Sequence, residues 1–190
     1  MKALVAGLLL FFATHSISIA APHWRDRFVA RIGPGLWRGL YSLASLLALL
    51  LVIHGFAAAR AAPVIWYVPP AWTHAVARVL MLPVFPLLLA AYFPGRIQAA
   101  AKHPMLAAIK LWAFAHLLAN GTAADVLLFG GFLAWAVVDR ISLKRRPPRA
   151  APGLPASKWN DAIVVVAGLA LYALVVGWAH LRLFGVSPLA

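Results

Sequence analysis

Residues 103–121 read HPMLAAIKLWAFAHLLANG, and this stretch decides the fold. It is an apolar helical segment that carries Lys110, His116 and Asn120 where a lipid-facing helix would carry only aliphatic side chains. Polar and ionisable groups inside a bilayer cost several kcal/mol unless they find partners, so they usually face protein and mark a functional site. His116 is therefore the first candidate functional residue.

The composition around this segment indicates an integral membrane protein. Of the 190 residues, 64% are hydrophobic and 11% are charged, and the mean hydropathy is +0.89, which leaves too little polar surface for a soluble globule. The chain has no cysteine, which excludes disulfides, thiolate metal sites and cysteine nucleophiles. The net charge of +13 is spread over several loops, so it indicates membrane orientation and contact with anionic lipid rather than nucleic-acid binding.

Hydropathy predicts about six transmembrane spans, because a span needs ~20 mostly apolar residues. The predicted spans are Ala3–Ala21, Trp37–Ala59, Trp72–Phe93, Pro104–Ala119, Thr122–Val138 and Ala162–Phe184. The fourth and fifth are short, and we expect a tight turn at Asn120–Gly121 to join them as a hairpin. One long helix through these residues is the alternative.

The distribution of basic residues predicts the orientation. The loops after the first, third and fifth spans hold most of the Lys and Arg residues, so the sequence predicts an all-α polytopic transmembrane helical bundle with both termini outside the cytoplasm. We expect the first span to be retained rather than cleaved as a signal peptide, because polar residues interrupt its apolar run at 14–18. Residues 1–190 are expected to form one domain. Asp139 and Arg140 should end the fifth span as an exposed pair, with a flexible basic cytoplasmic linker at 140–158.

Three histidines, His15, His54 and His116, are expected to lie within the membrane. Neutral imidazole is a good iron ligand, and two histidines on different helices can hold a haem between them. Helical spacing places Phe11, His15 and Ser18 on one face, and Trp112, His116 and Asn120 on another. His15 with His116 and His54 with His116 are the competing pairs. The simpler alternative is that each histidine makes one hydrogen bond between helices.

Two basic residues in the predicted spans are candidates for contact with a haem propionate. Lys110 lies in the middle of its span, and Arg78 lies one turn after His74. The alternatives are that Lys110 pairs with Asp125 or extends toward the interface, and that Arg78 is an interfacial anchor.

Several stretches resemble the NnrU-like membrane proteins over nearly the whole chain. They are FFATHSISIA, the RxGPGLWRGLYSLxSL pattern from Arg31 to Leu46, the His54–Gly55 pair, the 103–121 segment, and FGGFLAWAVVDR. The resemblance implies a bacterial inner-membrane protein associated with nitrite and nitric oxide reduction. Plant relatives include 15-cis-zeta-carotene isomerase, which resembles a haem b enzyme acting on a hydrophobic polyene.

Matching the motifs of that isomerase implies that His15 and His116 are the haem ligands. The isomerase has a cysteine three residues before the second histidine, where this chain has Ala113, so a mechanism that needs a thiolate at iron is unavailable here. The resemblance therefore implies haem b bound for redox or isomerisation chemistry, with membrane lipid, a hydrophobic small-molecule substrate and a redox or reductase protein as partners. A non-enzymatic factor that supports assembly or cofactor supply of nitrogen-oxide reductases, and a hydrophobic-molecule carrier, are the alternatives.

Overall fold

A computed structural model describes residues 1–146 and 153–189, and the predicted all-α class is confirmed there. Within these ranges the chain forms no strand beyond an isolated β-bridge between Ile65 and Thr122. The α-helices, numbered α1 to α11 in chain order, are Lys2–Ala20, Pro22–Ile32, Pro34–Arg60, Ala71–Met81, Val84–Ala90, Arg96–Ala101, Pro104–Ala119, Ala123–Asp125, Gly131–Ser142, Asn160–Leu174 and His180–Phe184. Two π-helical turns, Val126–Gly130 and Val175–Ala179, continue α8 into α9 and α10 into α11.

In the described part of the chain, four helical stretches are long and apolar enough to cross a membrane. They are Lys2–Ala20, Pro34–Arg60, Ala71–Ala90 and Asn160–Phe184. A helix satisfies its backbone hydrogen bonds internally, which is what a segment in hydrocarbon requires. The fourth predicted span is present as the shorter apolar helix Pro104–Ala119. The membrane-type character is therefore supported, while six spans stays a prediction.

The third predicted span is interrupted beside two prolines, Pro83 and Pro86. Helix α4 ends at Met81 and α5 begins at Val84, with Pro83 between them. Proline lacks the N–H that would continue the helical ladder, so the interruption follows from the sequence. Pro86 then meets α10 closely: a Cβ at Gly168 would lie 2.6 Å from its ring Cδ.

The predicted helix break at Asn120–Gly121 is confirmed, but its geometry differs from the prediction. Helix α7 ends at Ala119, and the next helix begins at Ala123. Asn120 is extended at φ −138° and ψ 136°, so the chain does not form a tight turn there. The reason is a capping box, in which Thr122 and Asp125 exchange side-chain and backbone hydrogen bonds and start a new helix from an extended residue.

The chain divides into two compact units. The first comprises Met1–Tyr67 and Thr122–Gly131, and the second comprises Val68–Gly121 and Phe132–Ala190.

In the first unit, α1 and α3 pack antiparallel through two glycines. A Cβ at Gly7 would lie 2.7 Å from the Val52 nitrogen, and a Cβ at Gly55 would lie 2.6 Å from the Leu4 Cα. Small residues let helix backbones approach in this way, which is the usual basis of helix pairing in lipid. The pairing places the end of α1 beside the beginning of α3.

In the second unit, polar side chains of α10 hold the segment before α6. The Asp161 carboxylate accepts the backbone N–H groups of Arg96 and Ile97 at 2.9 and 3.0 Å, which caps α6. Asn160 donates its amide to the carbonyl of Pro94 at 2.8 Å. The two polar residues at the start of α10 therefore have a structural role.

Two segments that were expected to be loops are helices. Residues 22–32 and 96–101 are helical, although the sequence analysis assigned both stretches to loops. The expected linker at 140–158 also differs, because α9 continues to Ser142. Residues 153–158 have little regular structure, whereas 147–152 lie outside the described residues.

The predicted orientation is tested by reporter fusions. A reporter after Ala190 and a reporter inserted after Arg145 should be found on opposite sides of the membrane, with the second in the cytoplasm. Ala190 itself lies outside the described residues. Enzyme reporters active on only one side provide the measurement, and a cytoplasmic signal from the fusion after Ala190 would contradict the six-span topology.

Candidate functional site

His15 lies near the end of α1, half-buried, with a defined ring orientation. Its Nδ1 lies 2.8 Å from the Phe11 carbonyl oxygen, one helical turn earlier. Its ring stacks on the Phe11 ring, with the centroids 3.8 Å apart and the planes at 15°. The Tyr41 ring from α3 meets it edge-on, with the centroids 5.3 Å apart. A carbonyl oxygen can only accept, so Nδ1 is the nitrogen that carries the proton.

His116 shows the same arrangement near the end of α7. Its Nδ1 lies 2.8 Å from the Trp112 carbonyl oxygen, and its ring lies 5.3 Å from the Trp112 ring. Trp112 in turn meets the Phe132 ring edge-on at 5.6 Å. Asn120 donates its amide to the His116 carbonyl at 2.9 Å. Trp112 thus contacts His116, and His116 contacts Asn120, as expected for residues predicted to share one face.

These two histidines share a tautomer that suits metal ligation. In each ring the Nδ1–H donates to the carbonyl four residues earlier, so Nε2 carries the lone pair. Metal-bound histidines almost always donate their other ring N–H to a carbonyl, a carboxylate or water, which fixes the tautomer and the ring orientation. His15 lies in the first unit and His116 in the second, and each arrangement is complete within its own unit.

His54, the competing ligand, lies in a different environment. It is exposed on α3, whose buried residues Ala48, Val52, Gly55 and Ala59 follow another face of the helix. Because α1 and α3 are antiparallel, His54 lies beside Gly55 at the end of the pair where α1 begins, whereas His15 lies at the other end. Within residues 1–146 and 153–189, the His54 ring has no aromatic or carbonyl contact of the kind that Phe11 gives His15.

The two basic candidates, Arg78 and Lys110, also differ from each other. Arg78 donates from Nη1 to the Pro188 carbonyl at 2.9 Å, and its own carbonyl accepts the Tyr172 hydroxyl at 3.0 Å. This arginine therefore holds the C-terminal segment of the second unit. Lys110 is half-buried in α7 and makes no hydrogen bond or ion pair within residues 1–146 and 153–189.

The second unit contains a charged cluster that was not predicted from the sequence. Asp139 is buried and pairs with Arg146, so the expected exposed pair of Asp139 with Arg140 is wrong. Burial lowers the pKa of nearby His103, and Arg140, Arg146 and Lys102 lower it further, while Asp139 opposes them. Asp139 and Arg146 are seven positions apart. In the sequence, the run of basic residues after Asp139 is the feature that indicates such a pair.

The described part of the chain contains no group of three or more His, Asp or Glu side chains that could hold a metal ion. A metal site made of protein ligands alone is therefore not found there. A single imidazole from a helix suits a different kind of site, in which a macrocycle supplies the other ligands of the metal.

Comparison with known proteins identifies a family. A family model described as NnrU protein matches residues 3–188. No curated protein and no solved structure matches the chain.

Proposed function

The chain belongs to the NnrU protein family, and from this premise we propose that it binds haem b through His15 and His116 for redox chemistry. The proposal extends to the role that the family resemblance implies, which is support of nitrite and nitric oxide reduction in the bacterial inner membrane. A membrane-type chain with four long apolar helices is consistent with this location.

The single observation that carries the proposal is the matched pair of Nδ1 hydrogen bonds. His15 and His116 are the two histidines that the isomerase motifs select, and both donate Nδ1–H to a carbonyl at 2.8 Å. Each therefore presents neutral Nε2 as the ligand atom, which is the form that haem iron takes. Each imidazole by itself thus has the tautomer of an axial haem ligand.

Aromatic side chains hold both imidazoles in place. Stacking on Phe11 restricts the His15 ring, and the Trp112 ring with Phe132 behind it restricts the His116 ring. A ligand whose rotamer is fixed before binding loses little entropy when the bond forms. When bound between two imidazoles, haem b supplies reversible one-electron transfer.

The residues favour electron transfer over isomerisation. Ala113 stands where the isomerase motif has cysteine and is completely buried, and the sequence contains no cysteine at any position. Two axial imidazoles also leave no open position at which a substrate could reach the iron. We therefore propose a redox role, in which the protein passes electrons to or from a reductase partner.

Haem content tests this proposal. Protein purified from haem-replete cells should contain a single haem b per chain by the pyridine haemochrome assay, and it should be reducible by dithionite. Colourless protein would contradict the proposal.

Retention of haem separates the redox role from a cofactor-supply role. In the presence of excess apomyoglobin, haem should stay with a redox protein, because two fixed ligands hold it. Rapid transfer to apomyoglobin would instead favour the alternative of a factor that supplies haem to reductases.

A further inference from the structure

Helix α2 connects two candidate spans almost without intervening residues. Only Ala21 separates it from α1, and only Gly33, with φ 83°, separates it from α3. Its 11 residues extend over about 16 Å. Because α1 and α3 pack antiparallel, their adjoining ends lie at the same end of the pair, and α2 lies across that end.

One face of α2 is attached to the beginning of α3 by aromatic contacts. The Phe28 ring meets the Trp37 ring at 6.1 Å, and the Arg25 guanidinium lies 5.6 Å above the Trp37 ring. Trp24 stacks on Phe28 at 5.1 Å but remains 48% exposed. The attachment fixes which side of α2 faces outward.

The outward face carries a cationic row. His23, Arg27 and Arg31 follow one another at intervals of four residues, and all three are exposed. Across residues 1–146 and 153–189, neither Arg27 nor Arg31 makes a hydrogen bond or ion pair. Asp26, the acidic residue of this helix, pairs with Arg25 at 2.8 Å. Two arginine charges therefore remain available to an anionic partner.

We propose that α2 is an interfacial helix that binds the anionic headgroups of the bilayer through Arg27 and Arg31. A short helix between the ends of two spans lies at headgroup depth, where guanidinium groups meet phosphates. An exposed tryptophan beside them is the side chain that prefers the boundary between headgroups and acyl chains. Binding to an acidic protein would account for the arginines but not for the exposed Trp24 beside them. The proposal does not depend on haem.

A single-cysteine reporter tests the proposal in the full chain, because the protein has no cysteine of its own. Ala30→Cys places a fluorophore on the exposed face of α2, and Ala62→Cys places it in the exposed segment after α3. Labelled protein is reconstituted into vesicles of phosphatidylcholine alone or with one third phosphatidylglycerol. Quenching by a nitroxide attached to lipid headgroups measures the approach of each label to the bilayer.

The Ala30→Cys label should be quenched more in the anionic vesicles, and the increase should be lost in the Arg27→Gln/Arg31→Gln variant and in high salt. Two basic residues at a membrane surface correspond to a change of about 30-fold in binding. The Arg27→Lys/Arg31→Lys variant should keep the effect, and Ala62→Cys should not respond to either substitution. Equal quenching in both lipids, or an effect produced only by an added acidic protein, would overturn the proposal. Circular dichroism confirms that the glutamine variant is folded.

Discussion

Replacing either His116 or His15 with alanine is expected to abolish the low-spin haem spectrum of the protein. Loss of one axial imidazole leaves the iron with an open position, so the sharp α and β bands of the reduced form should broaden or disappear. The loss in haem affinity should exceed the roughly 10–100-fold that removal of an outer-shell partner costs. Absorption spectra of the dithionite-reduced variants provide the measurement, and added imidazole should restore the bands.

Two other histidines provide the controls. His180 also has Nδ1 near a carbonyl, that of Val186 at 2.7 Å, but it lies outside the matched motifs and its hydrogen bond is exposed. The His180→Ala variant should therefore keep the wild-type spectrum. His54→Ala should keep it as well. Loss of the bands in His54→Ala, with an unchanged spectrum in His15→Ala, would show that His54 and His116 are the pair.

Replacing Gly55 with alanine is expected to destabilise the packing of α1 against α3. The added Cβ would overlap the backbone of Leu4 and lie 2.7 Å from the Ala3 carbonyl carbon. Backbone atoms cannot rotate away as a side chain can, so the two helices must separate. We expect a loss of about 1–3 kcal/mol in the free energy of unfolding, the usual range for overpacking. Thermal or denaturant unfolding in detergent, followed by circular dichroism, measures it.

Gly39→Ala is the matched control on the same helix. A Cβ at Gly39 meets nothing within 4 Å, so this variant carries the same change in helix propensity without the overlap. It should be as stable as wild type or slightly more stable. Equal stability of the Gly39→Ala and Gly55→Ala variants would contradict the close packing of α1 and α3 at Gly55.

The helices themselves could be predicted from the sequence because hydropathy is a local property. The long helices match the predicted spans closely, and Pro83 interrupts one of them. Helix α2 was missed because four basic and acidic residues within seven positions suggested a loop. Its start at Pro22, its end before Gly33 and the spacing of Trp24, Phe28 and Ile32 were the signals that could have revealed it.

The candidate site could be predicted only in part. Helical spacing placed Trp112, His116 and Asn120 on one face, since neighbours on a helix follow from the sequence alone. The contact of His15 with Tyr41 depends on how α1 packs against α3. Gly7 and Gly55 allow this packing, but their presence in the sequence does not predict it. The ring tautomers also required coordinates, because they depend on side-chain rotation toward a carbonyl.

Electron paramagnetic resonance of the purified ferric protein tests the central claim most directly. Iron held by the imidazoles of His15 and His116 should give a low-spin signal, and the signal should become high-spin when either residue is replaced by alanine. A high-spin signal in the wild-type protein, or protein that contains no haem after expression with ample haem, would contradict the proposed bis-histidine site.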